Sequence, residues 1–173
     1  DIEYLSAYTC SGYACSGLGI RDFTGLQDFT SLKHFVCKDN NLSTLNLIKN
    51  TALTDLDCSY NDLTSLDLSQ NIALVTLNCS GNILISLDVS NNIKLWRIII
   101  GDDIFNTGNN LTNIDISENL NLKYFLCSNN NLTKVDVSQN IELTSLNCSG
   151  NNIECIQVNL NQMNNISSYH FYK

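Results

Sequence analysis

Between Asp1 and Lys173 a single phrase keeps returning. It reads LKHFVCKDNNLSTLNLIKN at 32–50, LTDLDCSYNDLTSLDLSQN at 53–71, LVTLNCSGNILISLDVSNN at 74–92 and LTSLNCSGNNIECIQVNLN at 143–161. Cys37, Cys58 and Cys79 stand 21 residues apart, and Cys127 and Cys148 repeat that step. The 48 residues from Cys79 to Cys127 are two steps plus six, with Ile100 in the missing cysteine's place and an insertion at 104–109, around IFNTGN. A period this regular specifies a solenoid, in which each unit buries its apolar face only against its neighbours. Such a stack favours binding over catalysis.

Each unit is nested. Leu53, Leu56, Cys58 and Asn61 make one half, and Leu63, Leu66, Leu68 and Asn71 make a near-copy of the same LxxLxLxxN pattern. Neither half has room for apolar residues at helical spacing. The expectation is a β-rich leucine-rich-repeat solenoid of about seven 21-residue coils, with short parallel strands on both sides and little or no helix. At about 4.8 Å per strand such a rod is roughly 30–35 Å long. One domain spans 1–173: an irregular first coil at 1–31, regular repeats at 32–103, the insertion, repeats at 110–161 and a tail at 162–173. Cys15 is placed at the head of the cysteine column.

The wording CSGLGIRDFTGLQDFTSLKHFVC (15–37), the LxCSxNxLTxLDLSxN units and ECIQV (154–158) resemble the short bacterial leucine-rich repeats of alternating ten- and eleven-residue units. The resemblance covers roughly 14–161 and implies a secreted or cell-surface protein of a Bacteroidetes-type bacterium. Such proteins often carry an N-terminal capping helix and a C-terminal sorting domain. Neither reads out of this stretch, nor does a signal peptide, and the chain reads as a processed product or an excised domain.

Asparagine supplies 27 of 173 residues and proline none. The Asn fall in two columns: Asn40, Asn61, Asn82, Asn130 and Asn151, and Asn50, Asn71, Asn92, Asn119, Asn140 and Asn161. At a corner the backbone exposes N–H and C=O groups that are costly to bury unpaired. A stacked amide can donate and accept between coils, whereas proline would delete a donor from every coil. The Asn columns read as scaffold.

Net charge is −8, against nucleic acid as a partner. The longest apolar run, around Trp96–Ile100, is too short to span or insert into a membrane. No CxxC or CxxH pair gathers a metal site, so the column cysteines read as small buried hydrophobes. Cys10 aligns inward near Cys15, where a terminal bridge could form, and Cys155 aligns outward with Ser65. His34 and His170 lie at opposite ends, and nothing pairs a nucleophile with a base. No enzyme activity and no cofactor are implied. The outward column Asp67, Asp88, Asp115 and Asp136 stacks carboxylates about 5 Å apart, which predicts raised pKa values or a bound cation. The alternative is that Asp belongs to the repeat's wording and lies in solvent.

Departures from the repeat point to function. The first-half outward column reads Val36, Asp57, Asn78, Ile99, Leu126 and Asn147. Alternation places Trp96, Arg97, Ile99, Tyr124 and Leu126 outside, beside an insertion carrying Asp102, Asp103, Ile104 and Phe105. Exposed aromatic, apolar and Arg side chains mark an interface, so these residues form the candidate partner-binding site for a protein or glycan. The competing expectation is a lid that buries Phe105 against Trp96. Two functions compete as well: a recognition or adhesion module, and a structural subunit that self-associates through its exposed solenoid ends.

Overall fold

The computed structural model describes residues 4–6, 17–102, 105–159 and 168–170, the first and last of these segments as backbone only. Eight short parallel strands make one sheet: β1 (Tyr4–Ser6), β2 (His34–Val36), β3 (Asp55–Asp57), β4 (Thr76–Asn78), β5 (Arg97–Ile99), β6 (Tyr124–Leu126), β8 (Ser145–Asn147) and β10 (Ser168–His170). Two further strands, β7 (Lys134–Asp136) and β9 (Cys155–Gln157), pair on the other side of the coil. Register follows the repeat, with Leu56 on Leu77, Leu77 on Ile98 and Ile98 on Phe125. The fold is the expected leucine-rich-repeat solenoid. The described residues hold one helical turn, a 3-10 turn at Leu26–Asp28.

The second side is less regular than the first. Among the described residues only β7 and β9 form a ladder there. Elsewhere single backbone bonds cross from coil to coil just past the first corner, as from Asp62 N–H to Leu42 O and from Ile83 N–H to Leu63 O. The rungs at the two ends also differ from the 21-residue spacing. β1 pairs with β2 from 30 residues upstream, and the segment read as a tail supplies β10. Cys10, Cys15 and Asn161 lie outside the described residues.

Three inward residues per half build the core. Leu53, Leu56, Cys58, Leu63, Leu66 and Leu68 are all buried, and the pattern repeats along the stack. Phe23 extends the core into the first coil, its ring edge-on to Phe35 at 5.1 Å. Cys37, Cys58, Cys79, Cys127 and Cys148 are buried thiols, whereas Cys155 is exposed. Burial pushes the Cys79 thiol up to about 12 and raises Cys58 as well. A hydrogen bond from Cys127 lowers Cys148 at the end of the column.

The first corner is closed by asparagine. Asn61 Nδ2 donates to the carbonyls of Cys58 in its own coil and Cys37 in the previous one, at 3.1 and 3.0 Å. Its Oδ1 accepts from Leu42 N–H at 3.0 Å. Asn82, Asn130 and Asn151 repeat this arrangement. So does Asn109, which the sequence reading had counted with the insertion. The second corner uses donors only. Asn71 Nδ2 bonds to Leu47 O and Asn50 O at 3.1 and 2.9 Å, while the Oδ1 atoms of Asn50, Asn71, Asn92 and Asn119 are buried without a partner.

Two outcomes follow from these corners and columns. Asn61→Ala removes the amide's bonds to three carbonyls and leaves the buried Leu42 N–H without its acceptor, and should cost about 3 kcal/mol in a urea titration. Thiol labelling of the native protein, read by peptide mass spectrometry, should modify Cys155 rapidly. Cys37, Cys58, Cys79, Cys127 and Cys148 should react only after denaturant is added, because all five are buried from the reagent and burial also disfavours the reactive thiolate at Cys58 and Cys79.

Candidate functional site

Alternation along three-residue strands presents two residues of each to solvent: His34 and Val36, Asp55 and Asp57, Thr76 and Asn78, Arg97 and Ile99, Tyr124 and Leu126, Ser145 and Asn147. Most of these have local duties. Asp57 Oδ1 accepts from Ser59 N–H and Oγ at 3.1 and 2.6 Å. Asn78 does the same for Ser80, and Asn147 for Ser149. These are Asx turns that bend the chain into the first corner. Leu126 has no such acceptor. Ser128, two residues on, keeps a buried Oγ without a partner, a cost of about 1–3 kcal/mol by the usual reckoning.

Around that departure the aromatic residues gather. The Trp96 and Tyr124 rings meet edge to face, 5.4 Å between centroids and 82° between planes. Tyr124 is 41 % exposed, Trp96 half-buried and Arg97 exposed. An open depression beside the pair is lined by Trp96, Asn121, Lys123, Tyr124 and Glu142. Ile99 departs from expectation: it is 8 % exposed yet stands outside the main core cluster. It is flanked in register by Asn78 and Leu126 at the foot of the insertion, which removes it from the accessible set. Leu126 is half-buried.

The insertion is a tight hairpin. Asp102 and Thr107 exchange both backbone hydrogen bonds. Its stem lies flat on the next coil, and a Cβ at Gly101 or Gly108 would stand 1.7 or 1.5 Å from the carbonyl oxygens of Ser128 and Asn129. Only glycine permits that approach. Asn129 Nδ2 donates to Asp102 O at 2.9 Å. The Phe105 ring stands edge-on to Tyr60 at 5.6 Å, so it does not cover Trp96 as the lid reading required. Tyr60 donates its hydroxyl to Asp102 Oδ2. Burial, and then that bond, push the phenol up to about 12. Asp103 and Ile104 lie outside the described residues.

The residues chosen from sequence therefore divide. Trp96, Arg97 and Tyr124 sit at the beginnings of β5 and β6, Asp102 and Phe105 at the corner beyond the strand ends, and Ile99 and Leu126 between. Sequence reasoning missed Tyr60, although a signal existed. Its place in the repeat has positive φ throughout: Asp39, Tyr60, Gly81, Asn129 and Gly150. A tyrosine is out of character there. Gly81 leaves the room, since a Cβ on it would come within 2.6 Å of the Tyr60 ring.

Two polar features complete the surface. His34 Nδ1 lies 2.8 Å from Asp55 Oδ2. The hydroxyls of Thr54 and Thr76 both donate to the same carboxylate at 2.7 Å. On the second side, Asp67, Asp88, Asp115 and Asp136 each accept the backbone N–H of the serine two residues on, at 2.9–3.0 Å. The expected rise in pKa is reversed. Hydrogen bonds from Ser69, Ser90, Ser117 and Ser138 hold all four carboxyls below the usual range, outweighing the repulsion between neighbours. Among the described residues no three His, Cys, Asp or Glu side chains gather as metal ligands.

No family model and no curated protein matches the sequence. Solved structures do share the fold. An internalin, InlF, of Listeria monocytogenes is 17% identical with a TM-score of 0.73, over 90% of this chain and 52% of that one. The functional domain of InlJ from the same organism, which includes a cysteine ladder, is 25% identical with a TM-score of 0.51, over 91% and 47%. The plant peptide hormone receptor RGFR1, in complex with RGF2, is 18% identical with a TM-score of 0.66, over 82% and 24%. The chain thus spans between about a quarter and about half of the length of these structures.

The aspartate column supplies a pH test. A carboxyl whose folded pKa lies below the unfolded value of about 3.9 stabilises the fold above that value, and the contribution is lost as pH falls through the folded pKa. Carboxyl chemical-shift titration should give all four aspartates low midpoints. Ser90→Ala should raise the midpoint of Asp88 and leave that of Asp136 where it was.

Proposed function

We propose that this chain is a non-catalytic recognition module of a secreted or cell-surface bacterial protein, of the nested 21-residue leucine-rich type, and that it binds a protein. The observation that carries the reading is the departure at Leu126. The coil gives up a turn-making Asp or Asn and leaves Ser128 Oγ buried without a partner. In exchange it gains an apolar residue beside an edge-to-face Trp–Tyr pair and an exposed arginine. Val36 and Ile99 also break this column, but Lys38 and Gly101 stand in the serine's place there, whereas the break at Leu126 carries a cost, which fits a binding surface better than a scaffold position. Trp, Tyr and Arg are the side chains that dominate interface energetics. The RGFR1 complex, a peptide-bound protein of this fold, supports the general mode. Among the described residues no helix is long and apolar enough to cross a membrane.

In this reading Trp96, Arg97, Tyr124 and Leu126 form the centre, and Asp102, Asp103 and Phe105 a rim on the insertion. A glycan in place of a protein would favour the Trp96–Tyr124 depression alone. Assembly through the solenoid ends is the competing role: β1 and β10 close the strand order at either end of the main sheet, and concentration-dependent growth into filaments would favour it.

Two variants test the proposal together. Trp96→Ala should weaken a partner captured from native material by roughly 30-fold, about 2 kcal/mol, with little change in unfolding midpoint. Leu126→Asn should rebuild the Asx turn onto Ser128, raising stability by about 1 kcal/mol while lowering affinity. A partner that binds both variants as tightly as the wild type would move the site elsewhere.

A further inference from the structure

At the second corner each buried Asn opens a turn closed by a backbone bond three residues on, as from Leu74 N–H to Asn71 O and from Leu95 N–H to Asn92 O. The residue after each Asn therefore projects the same way in every coil. Those residues are Thr51, Ile72, Ile93, Leu120 and Ile141. The last four are 57, 53, 54 and 55 % exposed, one above another. The row stays continuous past the insertion, which sits at the other corner: Asn119 Nδ2 reaches Asn92 O and Asn121 Nδ2 reaches Ile93 O, both at 3.0 Å. Thr51 shows that the turn accepts a polar residue, so the fold does not demand the apolar ones. Together they present on the order of 400 Å² of apolar surface, the size of the largest patch on a typical monomer and often a functional one.

We infer that this stripe is the contact between two copies of the chain lying antiparallel. Charge and area both select a second copy. On the flank nearest the main sheet the exposed residues following Ile93, Leu120 and Ile141 are Lys94, Asn121 and Glu142. A two-fold axis through Leu120 lays Ile93 on Ile141 of the second copy and sets Lys94 opposite Glu142 of the second copy, twice over. In this register Ile93, Leu120 and Ile141 of both copies, with their flanks, bury on the order of 1,000 Å², the threshold of a specific interface, and Ile72 lies at its edge. An isologous patch of this kind closes as a dimer and does not propagate. Glu118, on the opposite flank, meets its own copy at the solvent-exposed rim, where like charges cost little. The contact does not use Trp96 or Tyr124, but it shares Asn121 and Glu142 with the depression beside them, so the dimer borders the recognition surface.

Sedimentation equilibrium of the full chain, up to about 100 µM, tests the inference. The wild type should show a monomer–dimer equilibrium, and Ile93→Asp should raise its dissociation constant at least about tenfold. Ile93→Thr, the residue that Thr51 already places in this turn, should act in the same direction and keeps the test valid should the aspartate disturb the corner. Lys94→Glu should weaken the dimer, and Lys94→Glu combined with Glu142→Lys should restore it. A wild type that stays monomeric overturns the inference, as does a dimer indifferent to Ile93. Growth past the dimer that ignores Ile93 assigns self-association to the solenoid ends instead. Failure of the double exchange to rescue overturns the antiparallel register.

Discussion

Everything in this molecule hangs on how a chain that turns a corner every ten or eleven residues keeps its backbone polar groups satisfied. Strands of three residues supply few ladder bonds, and each bend directs N–H and C=O groups inward. Asparagine resolves the difficulty because one planar amide carries both donors and acceptors at a reach that spans two coils. At the first corner each amide ties its own coil to the previous one through a carbonyl of each and an N–H. The leucine columns supply the driving force for burial, but the amides fix the distance at which the coils stack.

That division of labour explains where variation is tolerated. Six extra residues enter between Ile100 and Asn109 without disturbing the stack, because Asn109 still occupies the corner and makes the same bonds as Asn82. The hairpin leaves through Gly101 and returns through Gly108, the points where the next coil's backbone presses closest. The outer face tolerates change for a different reason. The turn-making Asp57 and Asn78 bond to the serine of their own turn, so losing one costs a single serine its partner, whereas Asp55 reaches His34 and Thr76 on the coils to either side.

The architecture was legible because a period of 21 and a doubled LxxLxLxxN pattern admit few three-dimensional solutions. The thiol column, the outward Cys155 and both asparagine corners are written directly in that wording. What escaped lies in contacts between distant coils. Phe105 could not be assigned to Tyr60 instead of Trp96 without knowing which way the hairpin leans. The buried state of Ile99 depends on flanking residues one coil away on either side. The aspartate column was misjudged because repulsion between stacked carboxylates is visible at a spacing of 21, whereas the serine two residues on was read only as part of a bend. The departure at Leu126 was visible as one of three apolar residues in a column otherwise made of Asp and Asn. Its meaning emerged once Ser59, Ser80 and Ser149 were seen to need the acceptor that Ser128 lacks.

The bond from Tyr60 to Asp102 joins coils that are not adjacent, for the coil of Cys79 lies between them. In a stack whose coils hold only their immediate neighbours, unfolding can begin at an end and proceed one coil at a time. A strut that skips a coil changes that arithmetic. The three coils it brackets must open together or not at all, so fraying that enters from the N-terminal end meets a block at Tyr60 that yields as one cooperative unit. The hairpin thereby acts as a clasp, and Trp96 sits on the segment of the rod that it holds shut, with Tyr124 on the next coil, which Asn129 ties to the hairpin stem.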